Sequence, residues 1–164
     1  MKQSGFEMMV RAYSADLFRF AYWLCRNRWQ AQDLVQETFA AAWKARDSLR
    51  DETVAKAWLF TILRNENARV YQRKRLDIDD VELEDLPIAT EGGHERVEIE
   101  DCLRKLPENF REPLMLQVLG GFSGREIADM MSITEQNVMT RLTRARQALQ
   151  RLVAPAGDSK MKEL

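Results

Sequence analysis

Histidine, cysteine, glycine and proline are all scarce in this sequence. The single histidine, His94, provides no second imidazole for a metal site and no base beside a candidate nucleophile. Cys25 and Cys102 lie far apart and outside any C-x-x-C pair. They give neither a disulfide framework nor a zinc motif, and they fit a reducing cytoplasm. Seven glycines and four prolines are too few for a turn-rich all-β fold. The longest stretch without a charged side chain runs from Pro113 to Gly124. A transmembrane helix needs about 20 apolar residues, so no direct membrane insertion is expected. The segment MKQSGFEMMVRAYS lacks a long apolar core and a small-residue cleavage site, so a secretory leader is not expected either. There is no Gly-rich phosphate loop and no metal-ligand spacing. On these grounds the chain is expected to be no enzyme and to carry no metal or other cofactor.

What the sequence does have is charge, in blocks. The 164 residues are 45% apolar and 31% charged, as in one ordinary globular domain or two small ones. The net charge of -1 conceals a segregation. Met1 to Arg75 carries 14 Lys/Arg against 8 Asp/Glu, Leu76 to Asp101 carries 1 against 11, and Cys102 to Leu164 carries 10 against 7. Two basic lobes therefore flank an acidic connector. Such asymmetry suggests that the lobes meet a polyanion, although a solvated linker between two indifferent domains has the same pattern.

The first lobe reads as helices. Phe6, Met9, Val10, Tyr13, Leu17, Phe20, Ala21 and Leu24 recur at steps of three and four, one face of an amphipathic helix. A break is expected near Asn27 to Gln30. The next helix turns Leu34, Val35, Thr38, Phe39 and Ala42 inward and offers Asp33, Gln36 and Glu37 on its opposite face. Arg46 to Thr53 is polar and aperiodic and reads as a loop, with Asp51 or Thr53 as a cap. A third helix is expected from about Val54 to Arg75, with Val54, Ala57, Trp58, Ile62 and Leu59 as apolar positions.

The connector LDIDDVELEDLPIATEGGHER is too polar to build a core and reads as a flexible linker. Beyond it, VEIEDCLRKL is a short helix stopped at Pro107. FREPLMLQVLGG is a second, with Pro113 expected in its first turn and Gly120-Gly121 ending it. Ser123 precedes Glu126 at capping-box spacing. The pattern predicts a helix Gly124 to Met131, a tight turn at Ser132 and Ile133, and a long helix Glu135 to Val153 capped by Thr134. Ile127, Ala128, Ile133, Val138 and Leu142 would fill the angle between them, a helix-turn-helix signature. The tail from Pro155 is polar. The fold class is thus all-α: two small helical domains joined by an acidic flexible linker, the second containing a helix-turn-helix.

In a helix-turn-helix the second helix enters the major groove, N-terminal end first. The residues placed to read bases there are Glu135, Gln136, Asn137, Thr140, Arg141 and Arg144, with Thr134 and the helix amino end near phosphates. At the end of the third helix, Arg64, Arg69, Arg73, Lys74 and Arg75 can neutralise phosphates and Asn65 and Asn67 can read bases. Trp58, Phe60 and Tyr71 are candidate stacking surfaces for single-stranded bases. Cations at a helix C-terminus are also favoured by the dipole alone, so this basic end has two readings. Asp33, Gln36 and Glu37 read equally well as a solvated face. Cys25 and Cys102 read as core and His94 as linker. The residues alone leave open a helix-turn-helix regulator acting by itself, or a protein-interaction adaptor that binds no DNA.

The order of motifs adds a resemblance. DLVQETFAAAWKA, then KAWLFTILRNENARVYQRKR, then the acidic linker, then LPENFREPLMLQVLGGFSGREIADMMSITEQNVMTRLTRARQAL resembles the extracytoplasmic-function (ECF) group of bacterial RNA polymerase sigma factors, group IV of the sigma-70 family. The resemblance covers about Met8 to Val153. It implies sigma region 2 at 1–76, an acidic linker at 77–96, sigma region 4 at 97–154 and a tail at 155–164. It implies that Asp33, Gln36 and Glu37 dock on a coiled coil of the polymerase β′ subunit. It places the capture of a flipped −10 base on the loop that holds Ser48 and Arg50 and on Asn65, with Arg64, Arg69, Arg73 and Lys74 on the same element. It implies a second lobe on the β flap that reads the −35 duplex, and control by an anti-sigma factor. Two departures stand out. Ser132 occupies a helix-helix turn where the family often has Gly, and Val138-Met139-Thr140-Arg141 replaces a common Val-Lys-Ser-Arg stretch, losing a lysine.

Overall fold

A computed structural model describes residues 1–77 and 94–153, with side chains at 1–70, 72–73 and 99–153. All regular structure among the described residues is helical. The chain divides into two compact units, Met1–Ile88 and Ala89–Leu164. The hydrophobic residues of the acidic connector, Ile78, Val81, Leu83 and Leu86, and the tail fall outside the described residues.

The first unit is built from α1 (Gln3–Cys25), α2 (Arg28–Lys44) and α3 (Ala55–Asp77), each packed against the other two. The apolar face expected of α1 is the one that goes inward, with Leu17, Phe20 and Ala21 fully buried. The break after α1 is shorter than the sequence suggests. Arg26 takes a left-handed conformation with φ 54, and its N–H donates to the Tyr22 carbonyl at 2.8 Å. Asn27 then caps α2, its Oδ1 accepting from Trp29 N–H at 2.9 Å and Gln30 N–H at 3.1 Å. Trp29 and Gln30 therefore belong to the helix, because a side-chain cap satisfies their otherwise orphaned donors. Ala31 and Ala42 are fully buried on α2 and let neighbouring helices approach closely. Thr38 is buried too, and its hydroxyl donates to the Leu34 carbonyl at 2.7 Å, which satisfies it internally.

The core face of α3 differs from the expected one. Leu59, Phe60 and Leu63 are fully buried, Trp58 and Ile62 are half-buried, and Val54 is exposed. Phe60 is thus a core residue and not a stacking surface for bases. Its ring centroid lies 5.3 Å from that of Phe20, within the range of favourable aromatic contacts. The first half of α3 is apolar nearly all round, so spacing alone does not single out its inward face. An ion pair from Lys56 to Asp16, at 3.3 Å, ties α3 to α1.

The second unit holds α4 (His94–Lys105), α5 (Glu108–Val118), α6 (Gly124–Met131) and α7 (Glu135–Val153). His94 opens α4, so the helix starts inside the stretch read as linker. Both cysteines are half-buried rather than core. Pro113 is not in a first turn either. Phe110 N–H and Arg111 N–H donate to the Pro107 carbonyl at 3.0 and 2.9 Å, which winds the helix from Glu108 and leaves Pro113 inside it. Burial of Pro113 beside Leu114, Met115 and Leu116 offsets the donor it lacks. The Gly120-Gly121 pair ends α5 for two separate reasons. A Cβ on Gly120 would sit 2.4 Å from the Phe122 ring, while Gly121 has φ +70.

Candidate functional site

Three surfaces gather the residues singled out in the sequence. The first is the outer face of α2. At about 100° per residue, Asp33, Gln36 and Glu37 share one arc opposite the buried Ala31, Leu34, Thr38 and Ala42. All three are exposed, as expected. The sequence reading missed a fourth residue on this arc. Trp29 lies one turn before Asp33 and is 74% exposed. Its spacing from Asp33 was the available signal, hidden by the helix break expected at Asn27 to Gln30.

The second group comprises two stretches of the first unit, the segment before α3 and the basic end of that helix. The expected loop contains two short 3-10 turns, Arg46–Ser48 and Glu52–Val54. Ser48 is exposed and its hydroxyl donates to the Ala45 carbonyl at 2.6 Å; Arg50 is exposed. Asp51 is the cap, accepting from Thr53 N–H at 2.9 Å and Thr53 Oγ1 at 2.6 Å. These bonds, the hydroxyl first, favour the carboxylate and hold Asp51 below its ordinary pKa. At the segment's start the Arg46 guanidinium lies 4.0 Å over the Trp43 ring, which in turn meets Phe6 at 5.0 Å. On α3, Asn65, Arg69 and Arg73 are exposed and recur every four residues, so they form one stripe. Arg69 also pairs with Glu66 at 3.5 Å. Arg64 lies off the stripe and is half-buried. Lys74 is in α3, but its side chain is outside the described set, as are those of Arg75 and Tyr71.

The third surface is the helix-turn-helix, and here the structure follows the expected boundaries residue for residue. Ser123 Oγ accepts from Glu126 N–H at 3.2 Å while Glu126 Oε1 accepts from Ser123 N–H at 3.1 Å, a complete capping box. Ser132 takes the left-handed conformation, φ 56 and ψ 43, that a Gly would adopt without strain. Ile127, Val138 and Leu142 are fully buried and Ala128 is 5% exposed at the crossing; Ile133 is half-buried. Thr134 Oγ1 accepts from Asn137 N–H at 3.1 Å, the expected cap.

On the outward side of α7, Thr134, Glu135, Gln136, Asn137, Thr140 and Arg144 are exposed. Arg141 is half-buried and its Nε donates to Asn137 Oδ1 at 2.8 Å, which pre-orients both side chains. Gln136, Met139, Thr140, Thr143, Arg144 and Gln147 line a shallow groove of about 350 Å³ along the helix. Met139, Thr143 and Gln147 were missed in the sequence reading. They fall at steps of three and four from Gln136 and Arg144, so the helix period held the signal. A Cβ added to Gly124 would lie 3.1 Å from Met139 Sδ, so the small residue at the start of α6 admits this side chain.

Among the described residues no group of three or more His, Cys, Asp or Glu is placed to hold a metal ion, and no helix is long and apolar enough to cross a membrane.

Known proteins share this arrangement of motifs. Residues 9–81 match the family model for Sigma-70 region 2, and residues 96–149 match that for Sigma-70, region 4. The ECF RNA polymerase sigma factor SigM of Bacillus subtilis is 33% identical over 151 residues, covering 88% of this chain and 92% of that protein. The ECF RNA polymerase sigma factor EcfG of Rhodopseudomonas palustris is 36% identical over 150 residues, covering 88% and 82%. The sigma factor RpoE of Bartonella quintana, solved in complex with the anti-sigma factor NepR, superposes with a TM-score of 0.77 at 33% identity, over 91% of this chain and 96% of that one. CnrH, solved with the cytosolic domain of CnrY, gives a TM-score of 0.72 at 27% identity, over 93% and 89%. With its two sigma-70 regions in order and relatives of this identity across nearly its whole length, the chain belongs to the ECF group of RNA polymerase sigma factors.

Proposed function

We propose that this chain binds core RNA polymerase in the cytoplasm, recognises −10 and −35 promoter elements and promotes transcription initiation, with an anti-sigma factor controlling its access to polymerase. The chain is not itself an enzyme in this reading; the polymerase performs the chemistry. The observation that carries it is the pairing, in one chain, of a region 2 match and a region 4 match.

The residues divide by role. Asp33, Gln36 and Glu37 dock on the β′ coiled coil, for which an exposed acidic arc on a well-packed helix is suited. Ser48, Arg50, Arg64, Asn65, Arg69, Arg73 and Lys74 serve the −10 element. Opening there costs a few kcal/mol of unstacking, which a pocket for the extruded base must offset. Thr134, Glu135, Gln136, Asn137, Thr140, Arg141 and Arg144 serve the −35 element, and the surrounding second lobe rests on the β flap. Region 2 takes residues 1–76 and region 4 residues 97–154, with 77–96 as an acidic linker. Two weak DNA contacts held on one polymerase raise the effective concentration of each without new contacts.

Co-purification with core RNA polymerase, followed by transcription in vitro from genomic fragments, tests the reading. Stoichiometric binding and new promoter-specific starts are expected. A folded chain, with no bound inhibitor, that fails to bind polymerase would sink it. Specific duplex binding without polymerase would then favour a regulator acting by itself.

A further inference from the structure

Trp29 is the most exposed large apolar side chain among the described residues, at 74%. Nothing about the fold of α2 calls for it, because the inward arc of the helix is already filled by Ala31, Leu34, Thr38 and Ala42. Trp29, Asp33, Gln36, Glu37 and Ala40 instead fall on one outward arc, and all five are exposed. The arc runs for about 16 Å at 1.5 Å per residue. It starts with an indole, continues through two carboxylates and an amide, and ends on a small alanine. No cation interrupts it before Lys44.

The backbone under this indole is held firmly. The Trp29 N–H is bonded to the Asn27 cap, and the left-handed Arg26 fixes the angle at which α2 leaves α1. A large aromatic presented on a pre-ordered helical turn loses little freedom when it is covered. Exposed aromatics of this kind, beside charges of one sign, are the anchors around which interface energy concentrates.

We propose that Trp29 is the apolar anchor of the polymerase-docking face. The indole packs on the aliphatic stems of a basic helical surface of core polymerase and lies under one of its guanidinium groups. This rests on the assignment of Asp33, Gln36 and Glu37 to polymerase docking. The chemistry of the arc selects that partner. Two carboxylates without a cation between them favour a basic surface, and an indole face attracts a guanidinium. The two kinds of contact also differ in their response to salt. The exposed carboxylates are screened as ionic strength rises, whereas burial of the indole is not. Trp29 thus supplies the part of the affinity that persists at high salt.

The test is a titration of the full chain against core polymerase at low and high salt, with W29A, W29F and E37K variants. W29A is expected to weaken binding about tenfold or more, in line with an aromatic anchor buried on association. Its loss should vary less with salt than that of E37K, with the melting temperature unchanged and part of the binding restored in W29F. E37K should weaken binding most at low salt. Normal affinity in W29A beside impaired E37K overturns the proposal and leaves the docking face standing. Normal affinity in both overturns the docking face itself. A W29A chain that melts earlier, with no recovery in W29F, assigns the indole to holding α2 and also overturns the proposal.

Discussion

The basic helices α3 and α7 have similar lengths and similar proposed partners, yet only one could be placed accurately in sequence. On α7, buried Val138, Leu142 and Ala145 alternate with mostly polar exposed residues, so one narrow apolar stripe faces a largely polar remainder. On α3, Leu59, Phe60 and Leu63 are buried while Trp58 and Ile62 are half-buried, so apolar residues cover most of the first half. With apolar side chains nearly all round its first half, α3 loses the contrast from which a face is read. The lesson is that periodicity identifies the inward side of a helix only where the opposite side is polar, however many neighbours the helix has.

Substitutions can break this comparison. The largest effect is expected from Phe60→Ala, which removes a ring buried against Phe20. It should cost about 3–5 kcal/mol in chemical denaturation followed by near-UV circular dichroism. Trp58→Ala should cost clearly less; an equal or greater loss would restore the face expected from spacing. Next comes Arg144→Ala, at the exposed edge of the α7 groove. It should weaken use of the −35 element by about 1–3 kcal/mol if the guanidinium reads a base, while leaving the melting temperature alone. Unchanged transcription from a −35-dependent promoter removes it from the site.

Two smaller effects sharpen the picture at the turns. Ser132→Gly relieves a left-handed conformation whose cost is roughly 1–2 kcal/mol, part of which the added freedom of the unfolded chain cancels. A net gain of about 0.5–1 kcal/mol in the second unit is expected in thermal melts, and a loss would show that the Ser132 side chain contributes something beyond its backbone. The smallest is at Asp51, which is exposed and whose carboxyl is held below its ordinary value of 3.8 by Thr53. A depressed folded-state pKa contributes stability that is complete above the unfolded value and is lost as pH falls through the folded one. Asp51→Ala should therefore flatten the acid limb of the stability profile slightly and leave its shape above neutrality unchanged.

The all-α class and the helix-turn-helix were legible because caps and turns act locally. Ser123, Glu126, Ser132 and Thr134 each bond or bend within a few residues, so their meaning is written where they stand. The outer face of α2 was legible from spacing, because Leu34, Thr38 and Ala42 mark its opposite side. Trp29 was not, because Asn27 both ends one helix's territory and caps the next, and the sequence shows only the interruption. Phe60 was misplaced because its burial depends on Phe20, forty residues away in the chain. Pro113 was misplaced because the Pro107 carbonyl starts the helix two residues early. On α7, Met139 escaped because a list built on donor and acceptor chemistry skips a thioether, and Thr143 and Gln147 because they stand off the few positions chosen near the helix start.

The connections described above are very short: two residues join α1 to α2, and three join α6 to α7. Contacts between such neighbours close small loops and lose little chain entropy, which is the condition for fast folding. Each lobe can therefore be expected to collapse as soon as its last helix is available. During synthesis the lobe with the α2 face is finished while the acidic connector and the helix-turn-helix are still being made. A nascent chain of this design would present its α2 surface to the surrounding cell before it possesses its second DNA-binding lobe.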